Sequence, residues 1–315
     1  MQRVLVILAV IVLVTVSLGV GALTANWPFW QRAWAWHAAD GGWPQQLSGP
    51  HVVVRGGDGV PLEVHAASPE LTAAATTAET WLLMRVRGAQ VDAWFAPGFD
   101  AGTLVDGRAL TMAVLAPLYA RLEQSHPGLI DQPVGAWLDA WRQDARGALT
   151  PRALLELVEG GVTTAPAVTP LNPFSARARL ASGPGFHRAA LAVFQPGNGP
   201  ASQAAAAQLL ASIASVIEDR PFAVVLQENL WTVTAAGDAQ LMLDRRNGQA
   251  AAHCCLRASA ADWLRVGLRA AEAAGAASGI RTAVGSGRVL VIGPERALFW
   301  AGNGPAPSGL EMLLH

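Results

Sequence analysis

The groups in this chain that could do chemistry are few, and their types limit what they could do. There is no lysine: all 22 basic residues are arginine. A guanidinium stays protonated in proteins, so none can act as a proton-accepting base beside a nucleophilic serine. One stretch, Ser182-Gly183-Pro184-Gly185-Phe186-His187, places a serine near a histidine in a loop. A nucleophile elbow needs a strand–turn–helix context, and nothing before Ser182 reads as that strand. Thr111 has no general base in sight. Gly285-Ser286-Gly287 could hold an anion by its backbone N–H groups, but reads more simply as a turn into a strand. Asp238 and Asp244 read as surface charges rather than an acid–base pair, and Arg245-Arg246 as solvated.

The two cysteines, Cys254 and Cys255, are adjacent and follow His253. A His-Cys-Cys metal site is conceivable, but zinc usually takes C-x-x-C pairs. A disulfide between neighbours strains the peptide joining them, so the expectation is two small buried thiols and no disulfide. No metal site and no cofactor are expected.

The elements that must hold these groups follow from turn signals and periodicity. His51–Arg55 and Leu62–His65 read as short strands around Gly56-Gly57-Asp58-Gly59. Glu70–Thr80 is alanine- and threonine-rich and reads as helix. Thr80–Val86 and Gln90–Phe95 alternate as a hairpin across Arg87-Gly88-Ala89. Ala109–Gln124 has helical periodicity and ends at His126-Pro127-Gly128. Gly135–Trp141 and Thr150–Val158 read as short helices, the second with Thr150 as N-cap and Pro151 at its first position. From Gly160 to Pro200 proline and glycine recur, which predicts loop. Ser202–Glu218, Ala223–Leu230 and Ala260–Ala274 read as helices, Arg288–Ile292 and Leu298–Ala301 as closing strands, and Ser308–Leu314 as a last short helix. Strands at both ends with helices between them predict one sheet completed by both termini, with a helical subdomain inserted.

The N-terminus is of a different kind. Val4 to Ala25 is an almost unbroken apolar run, long enough for the roughly 20 residues that cross a bilayer as a helix. Arg3 precedes it and the next basic residue is Arg32, which places the N-terminus in the cytoplasm and the rest outside. A cleaved signal peptide is the competing reading, with Val20-Gly21-Ala22 as the cleavage site, but a signal core usually runs only about 7–15 residues. Trp27, Trp30, Trp34 and Trp36 follow closely, and tryptophan favours the membrane–water interface. At 315 residues the chain can build a large core. Its formal net charge of −1 leaves no electrostatic footprint for nucleic acid.

A colinear series of short stretches runs from about Trp81 to Gly302. Trp94-Phe95-Ala96-Pro97-Gly98-Phe99-Asp100 comes first, then Asp131-Gln132-Pro133-Val134 and Gly147-Ala148-Leu149-Thr150 with Leu154-Leu155. Pro196-Gly197, Gln208-Leu209-Leu210, Arg220-Pro221-Phe222 and Leu230-Trp231 continue it. Cys254-Cys255-Leu256 and Asp262-Trp263-Leu264-Arg265-Val266-Gly267 close it. In this order the stretches resemble the serine hydrolases of the beta-lactamase and penicillin-binding type, especially the 6-aminohexanoate-dimer hydrolase branch. The resemblance implies an α/β fold, beta-lactamase/transpeptidase-like, with an antiparallel sheet from both chain ends. It divides the chain into an anchor (1–25), a tryptophan-rich juxtamembrane segment (26–50) and a beta-lactamase-like domain (51–315) whose helical subdomain covers about 125–260.

The resemblance also says where catalysis should sit. The family's S-x-x-K falls, anchored on Gly107 and Val114, on Ala109-Leu110-Thr111-Met112: nucleophile and base are both replaced. Its Y-x-N falls on Ser202 and Ala204, and the chain's one tyrosine, Tyr119, lies in the first-motif helix and cannot stand in. Its Lys- or His-x-Gly falls near Gly285 and Gly287, again without the basic residue. Losing a serine nucleophile or its base typically costs on the order of 10⁴–10⁶ in rate. The resemblance therefore implies a catalytically inactive module, and the apolar N-terminal run with its flanking charges places it as a single-pass protein of a bacterial inner membrane with its domain in the periplasm. It would bind an envelope protein, or an acyl or cell-wall ligand, in the vestigial cleft. The alternative is an active hydrolase of amide or ester bonds with a rearranged nucleophile. That needs Ser182, Ser202 or Ser286 within reach of a histidine, and it loses ground if Ala109 and Met112 are packed by apolar neighbours.

Overall fold

A computed structural model describes residues 12–13, 17, 27–39, 47–57, 62–76, 79–88, 90–159, 175–197, 199–274, 281–285, 287–293, 295–303 and 306–314. In chain order the elements are α1 (Trp27–Ala38), β1 (His51–Val54), β2 (Val64–Ala66), α2 (Pro69–Thr76), β3 (Thr80–Arg87), β4 (Gln90–Phe95) and β5 (Val105–Asp106). Then come α3 (Leu115–Ser125), α4 (Pro151–Glu159), α5 (Ala176–Ser182), α6 (Phe186–Val193), α7 (Pro200–Ile217) and α8 (Phe222–Leu226). The chain closes with β6 (Ala239–Met242), β7 (Leu256–Ala258), α9 (Ala260–Ala274), β8 (Arg281–Gly285), β9 (Arg288–Gly293) and β10 (Arg296–Gly302).

The main sheet has the order β2-β4-β3-β10-β9-β8, so both ends of the domain build it, as the strand pattern predicted. Its pairs are antiparallel except β2 with β4, which run parallel at one edge. Both faces are covered. On β3, Leu82, Met84 and Val86 enter the large core while Leu83 enters a second cluster. On β10, Ala297, Phe299 and Ala301 face the first, and Leu298 and Trp300 the second. Successive side chains of each strand thus enter opposite cores, which is why both faces of these strands are apolar. Helix α9 covers the first face; α2 and the 3₁₀ turn Leu310–Leu314 cover the second.

Buried on the second face is an ion pair. Arg85 Nη2 donates to Asp92 Oδ2 at 2.7 Å and Arg85 Nε to Asp92 Oδ1 at 3.1 Å. Arg85 Nη1 also donates to the Leu313 carbonyl at 2.7 Å, tying the last turn to the sheet.

Away from the sheet, α7 forms the axis of the helical part. Its alanines and leucines, from Ala204 to Ala214, are buried on nearly every side, and α4, α5 and α6 pack on it. It is the one described helix long and apolar enough to cross a membrane, and 61% of it is buried in the protein, which marks a core helix. The predicted anchor, residues 1–25, lies outside the described residues apart from Val12, Leu13 and Ser17, each of which is helical.

Several expectations are corrected. The strands predicted around Gly56–Gly59 do not pair: β1 joins β6 in a second sheet of order β1-β6-β7-β5, and β2 joins the main sheet. The helix predicted from Ala109 begins as 3₁₀ over Arg108–Val114 and becomes α only at Leu115. The one predicted over Gly135–Trp141 is two separate 3₁₀ turns, Val134–Ala136 and Asp139–Trp141. The predicted helix Ala223–Leu230 is the short α8 followed by a π turn, Gln227–Trp231. The segment read as loop holds α5 and α6, because Ser175 caps α5 by accepting from Ala178 N–H at 3.1 Å and Gly183 and Gly185 supply the turn between them.

Candidate functional site

The segment from Asp106 to Met112 is fixed by backbone contacts before any side chain acts. Gly107 N–H donates to the Leu256 carbonyl at 2.8 Å, and a Cβ on Gly107 would lie 2.3 Å from Cζ2 of Trp263. Only glycine fits there, so the indole sets where the next residues fall. Arg108 N–H then donates to Asp106 Oδ1 at 2.8 Å, and Arg108 takes a φ of 50°. This starts the tight 3₁₀ turns that carry residues 109–112.

Ala109 and Met112, the positions aligned with nucleophile and base, are 4% and 6% exposed and belong to the main hydrophobic core. Thr111 between them is buried too, and its Oγ1 accepts from Leu256 N–H at 3.0 Å. Its hydroxyl is thus committed to holding the 253–256 stretch. Tyr119 is buried in the same core and donates to the Leu210 carbonyl at 2.7 Å. Burial pushes its phenol well above the usual range, so it is no proton relay at neutral pH.

Ser202 and Ala204 lie near the start of α7. Ala204 is buried. Ser202 is half-buried and lines a surface cleft of about 310 Å³ with Arg177, Gln195, Pro196 and Gly197, and no described lining residue comes from 108–114. Gly285 and Gly287 flank the turn between β8 and β9, and Ser286 lies outside the described residues. Gly287 has a φ of 68°, and a Cβ there would lie 2.6 Å from the Gly302 carbonyl oxygen and 3.1 Å from Arg108 Nη1.

Sequence reasoning missed what stands beside this turn. Arg288 is 2% exposed. Its Nε donates to the Asp106 carbonyl at 2.9 Å, its Nη1 to the carbonyls of Gly287 at 2.5 Å and Gly302 at 3.1 Å. Its guanidinium lies 4.7 Å from the centre of the Trp81 ring, and Trp81 stacks on Phe99. Burial and the nearby Arg108 charge pull Arg288 down to about 9, so it remains charged at neutral pH. Burial also lowers Arg108 and raises Asp106, and each charge partly offsets the other's shift. Where the 108–114 segment packs against β8 and β9, two guanidinia and one carboxylate are thus buried close together. None of these is a base matched to a serine. An arginine opening a closing strand was the available signal, but it carried no spacing that pointed inward.

Ser182 ends α5 with no exposed surface, and its Oγ has no hydrogen-bond partner. His187 pairs instead with Ser212, Nδ1 to Oγ at 2.9 Å, and burial lowers its pKa. Ser212 sits mid-helix in α7 and donates back to the Gln208 carbonyl at 3.0 Å, which leaves its hydroxyl proton occupied. His253 is buried, and burial pulls it down to about 4, so it is neutral. Gln208 Oε1 accepts from Ala252 N–H at 3.0 Å, so the His253 nitrogen 3.1 Å away, Nδ1, must be a donor.

Two further expectations fail. Cys254 and Cys255 form a disulfide with each other rather than remaining thiols. Cys255 takes a φ of 74°, a turn that lets adjacent side chains meet, and both sulfurs lie in the core beside His253. Asp244 is no surface charge: it is 3% exposed and accepts from the backbone N–H groups of Gly185 at 2.6 Å and Gln249 at 2.7 Å. Asp238 is exposed, beside Arg55, and Arg245 and Arg246 are exposed as expected.

Among solved structures, the chain matches a Bacillus anthracis protein described as a 6-aminohexanoate-dimer hydrolase with a TM-score of 0.62 and 11% identity, over 90% of this chain and 91% of that one. A class C beta-lactamase from Rhodobacter sphaeroides matches with a TM-score of 0.54 and 13% identity, over 76% and 95%. A penicillin-binding protein homologue from Caulobacter crescentus matches with a TM-score of 0.50 and 14% identity, over 76% and 93%. No protein-family model matches the chain, and no curated protein does. At these identities the likeness is one of fold: the chain has the architecture of the beta-lactamase-like serine hydrolases.

Proposed function

We propose that this chain, built on the beta-lactamase-like hydrolase fold, is a catalytically inactive module anchored in the inner membrane of a bacterium. Its domain would stand in the periplasm and act there as a binding or scaffolding unit. The observation that carries the reading is the burial of Ala109 and Met112 in an apolar core, at the head of the helix where a serine and lysine would have to meet substrate. The absence of lysine anywhere in the chain supports it independently of alignment. The pairing of Cys254 with Cys255 suits an oxidising compartment such as the periplasm. An envelope protein, or an acyl or cell-wall ligand, would be what it binds.

The test is intact mass of the full chain in detergent after incubation with a fluorophosphonate and, separately, with a penicillin. A competent class C beta-lactamase labelled in parallel serves as control. The expected result is no adduct on this chain and stoichiometric adducts on the control. A stoichiometric adduct mapping to one serine would overturn the reading and establish a rearranged nucleophile.

A further inference from the structure

Helix α1 inverts the usual polarity of a surface helix. Such a helix turns apolar residues inward and charge outward. Here the one charged side chain, Arg32, is wholly buried, together with Phe29 and Trp36. Arg32 donates to four carbonyls: Nε to Ser48 at 2.8 Å, Nη2 to Leu243 at 2.8 Å, and Nη1 to Ser182 at 3.3 Å and Asp244 at 3.4 Å. Trp36 Nε1 donates to the Ala181 carbonyl at 3.3 Å. These bonds lock α1 to α5 and to the strand end at Leu243, so the helix cannot turn about its own axis.

Its outer face is then fixed. Trp27 and Trp34 are seven residues apart, which at 100° per residue puts them within about 20° of one another. They are 55% and 71% exposed. Gln31, between them, is exposed and uncharged, and the helix contains no acidic residue. Two large indoles on one outward face without arginine or carboxylate, with the exposed His37 ring 5.7 Å from that of Trp34, suit a layer that is apolar on one side and wet on the other, because the ring is apolar and its N–H still needs an acceptor. The apolar run Val4–Ala25 ends directly before this helix, which brings that layer to the same place.

We propose that α1 lies along the surface of a lipid bilayer with Trp27 and Trp34 seated among the headgroups, so that the Arg32 lock sets one standing orientation of the whole domain on the membrane. The proposal rests on the anchored reading above and adds a second, rigid contact to it. It also makes the domain's angle to the membrane a property of the fold rather than of a linker.

The chain suits a direct test, since residues 1–26 contain no tryptophan and any lipid quenching of indole fluorescence must come from beyond the apolar run. The full chain is reconstituted into phosphatidylcholine–phosphatidylglycerol bilayers carrying acyl chains brominated near the headgroup or, separately, near the chain end. Flotation with the bilayer is measured on the same samples and reports anchoring alone. The expected result is flotation, stronger quenching by the shallow bromines, and at least a twofold loss of that quenching in the W27S/W34S double variant. Both sites are exposed, so the variant should keep its fold. Flotation without quenching, or quenching unchanged in the double variant, overturns the seating while leaving the anchor intact; a protein partner covering the tryptophans would give this outcome. Failure to float overturns both.

Discussion

Restoring the base position tests whether the site is truly dry. Met112→Lys puts an amine where the aligned family carries one, at a position only 6% exposed within the apolar core. An amine buried there is held neutral, and full burial lowers a lysine pKa by up to about 3–5 units. Starting from about 10.4 in the unfolded chain, a shift of about 4 units places the folded value near 6. The sign follows from linkage. The folded pKa is depressed, so the unfolded state binds the extra proton between the two values, and the penalty grows as pH falls from 10 to 7. At pH 7 the unfolded lysine lies about 3.4 units below its pKa, which at about 1.36 kcal/mol per unit costs about 4.6 kcal/mol. At pH 10 the same linkage leaves about 0.7 kcal/mol. The variant should therefore recover about 4 kcal/mol relative to the parent between pH 7 and pH 10, on top of a constant packing loss. Urea unfolding of parent and variant at each pH gives the difference directly. A difference that does not change with pH would mean that the lysine is charged and solvated or paired in the folded state. The site would then be a working polar pocket and the argument from burial would be wrong.

Three other expectations follow from the contacts. Gly107→Ala drives a methyl into Trp263 at 2.3 Å and should cost about 1–3 kcal/mol in chemical denaturation; an unchanged midpoint would show that the indole does not set this segment. Asp92→Asn leaves the buried Arg85 with only the more exposed Glu70 carboxylate, at 3.5 Å, as a charged partner and should cost about 3 kcal/mol. In the parent, burial opposes the Asp92 charge, but the Arg85 hydrogen bonds outweigh it and hold the carboxyl below the usual range. The pair's stabilisation is therefore present above about pH 4 and lost as pH falls through the lower folded value, so an acid titration of stability should be steeper in the parent than in Asp92→Asn. Gly287→Ala meets both a φ of 68° and the Gly302 carbonyl, and should destabilise the β8–β9 turn; protection of the β8 amides in hydrogen exchange is the measure.

Much of the architecture was written locally. The hairpin of β3 and β4 shows as apolar runs around Arg87-Gly88-Ala89, and α4 opens where Thr150 Oγ1 accepts from Ala153 N–H at 3.2 Å. Helix α9 opens the same way, with Asp262 N–H donating to Ser259 Oγ at 3.2 Å. What escaped was set at a distance. Strand β1 is legible as a strand, but its partner is β6, far along the chain, and no local turn signal points to it. Asp244 reads as a surface charge because its burial depends on amides at Gly185 and Gln249 that only the folded chain brings to it. The cysteine pair depended on a backbone turn at Cys255 that adjacent residues seldom adopt.

The residue types alone determined the limits of the chemistry. A chain without lysine cannot present a serine–lysine pair however it folds, because arginine does not give up its proton near neutral pH. The order of turn signals and apolar runs likewise determined the class of fold, since those signals are local. Only the tertiary structure decided that Ala109 and Met112 are sealed rather than merely substituted, and that Arg108 and Arg288 are buried beside Asp106. It also decided that Arg32 faces inward while Trp27 and Trp34 face out. Burial and charge pairing depend on what lies across the interior, and no spacing along a chain encodes which distant carbonyl or ring that will be.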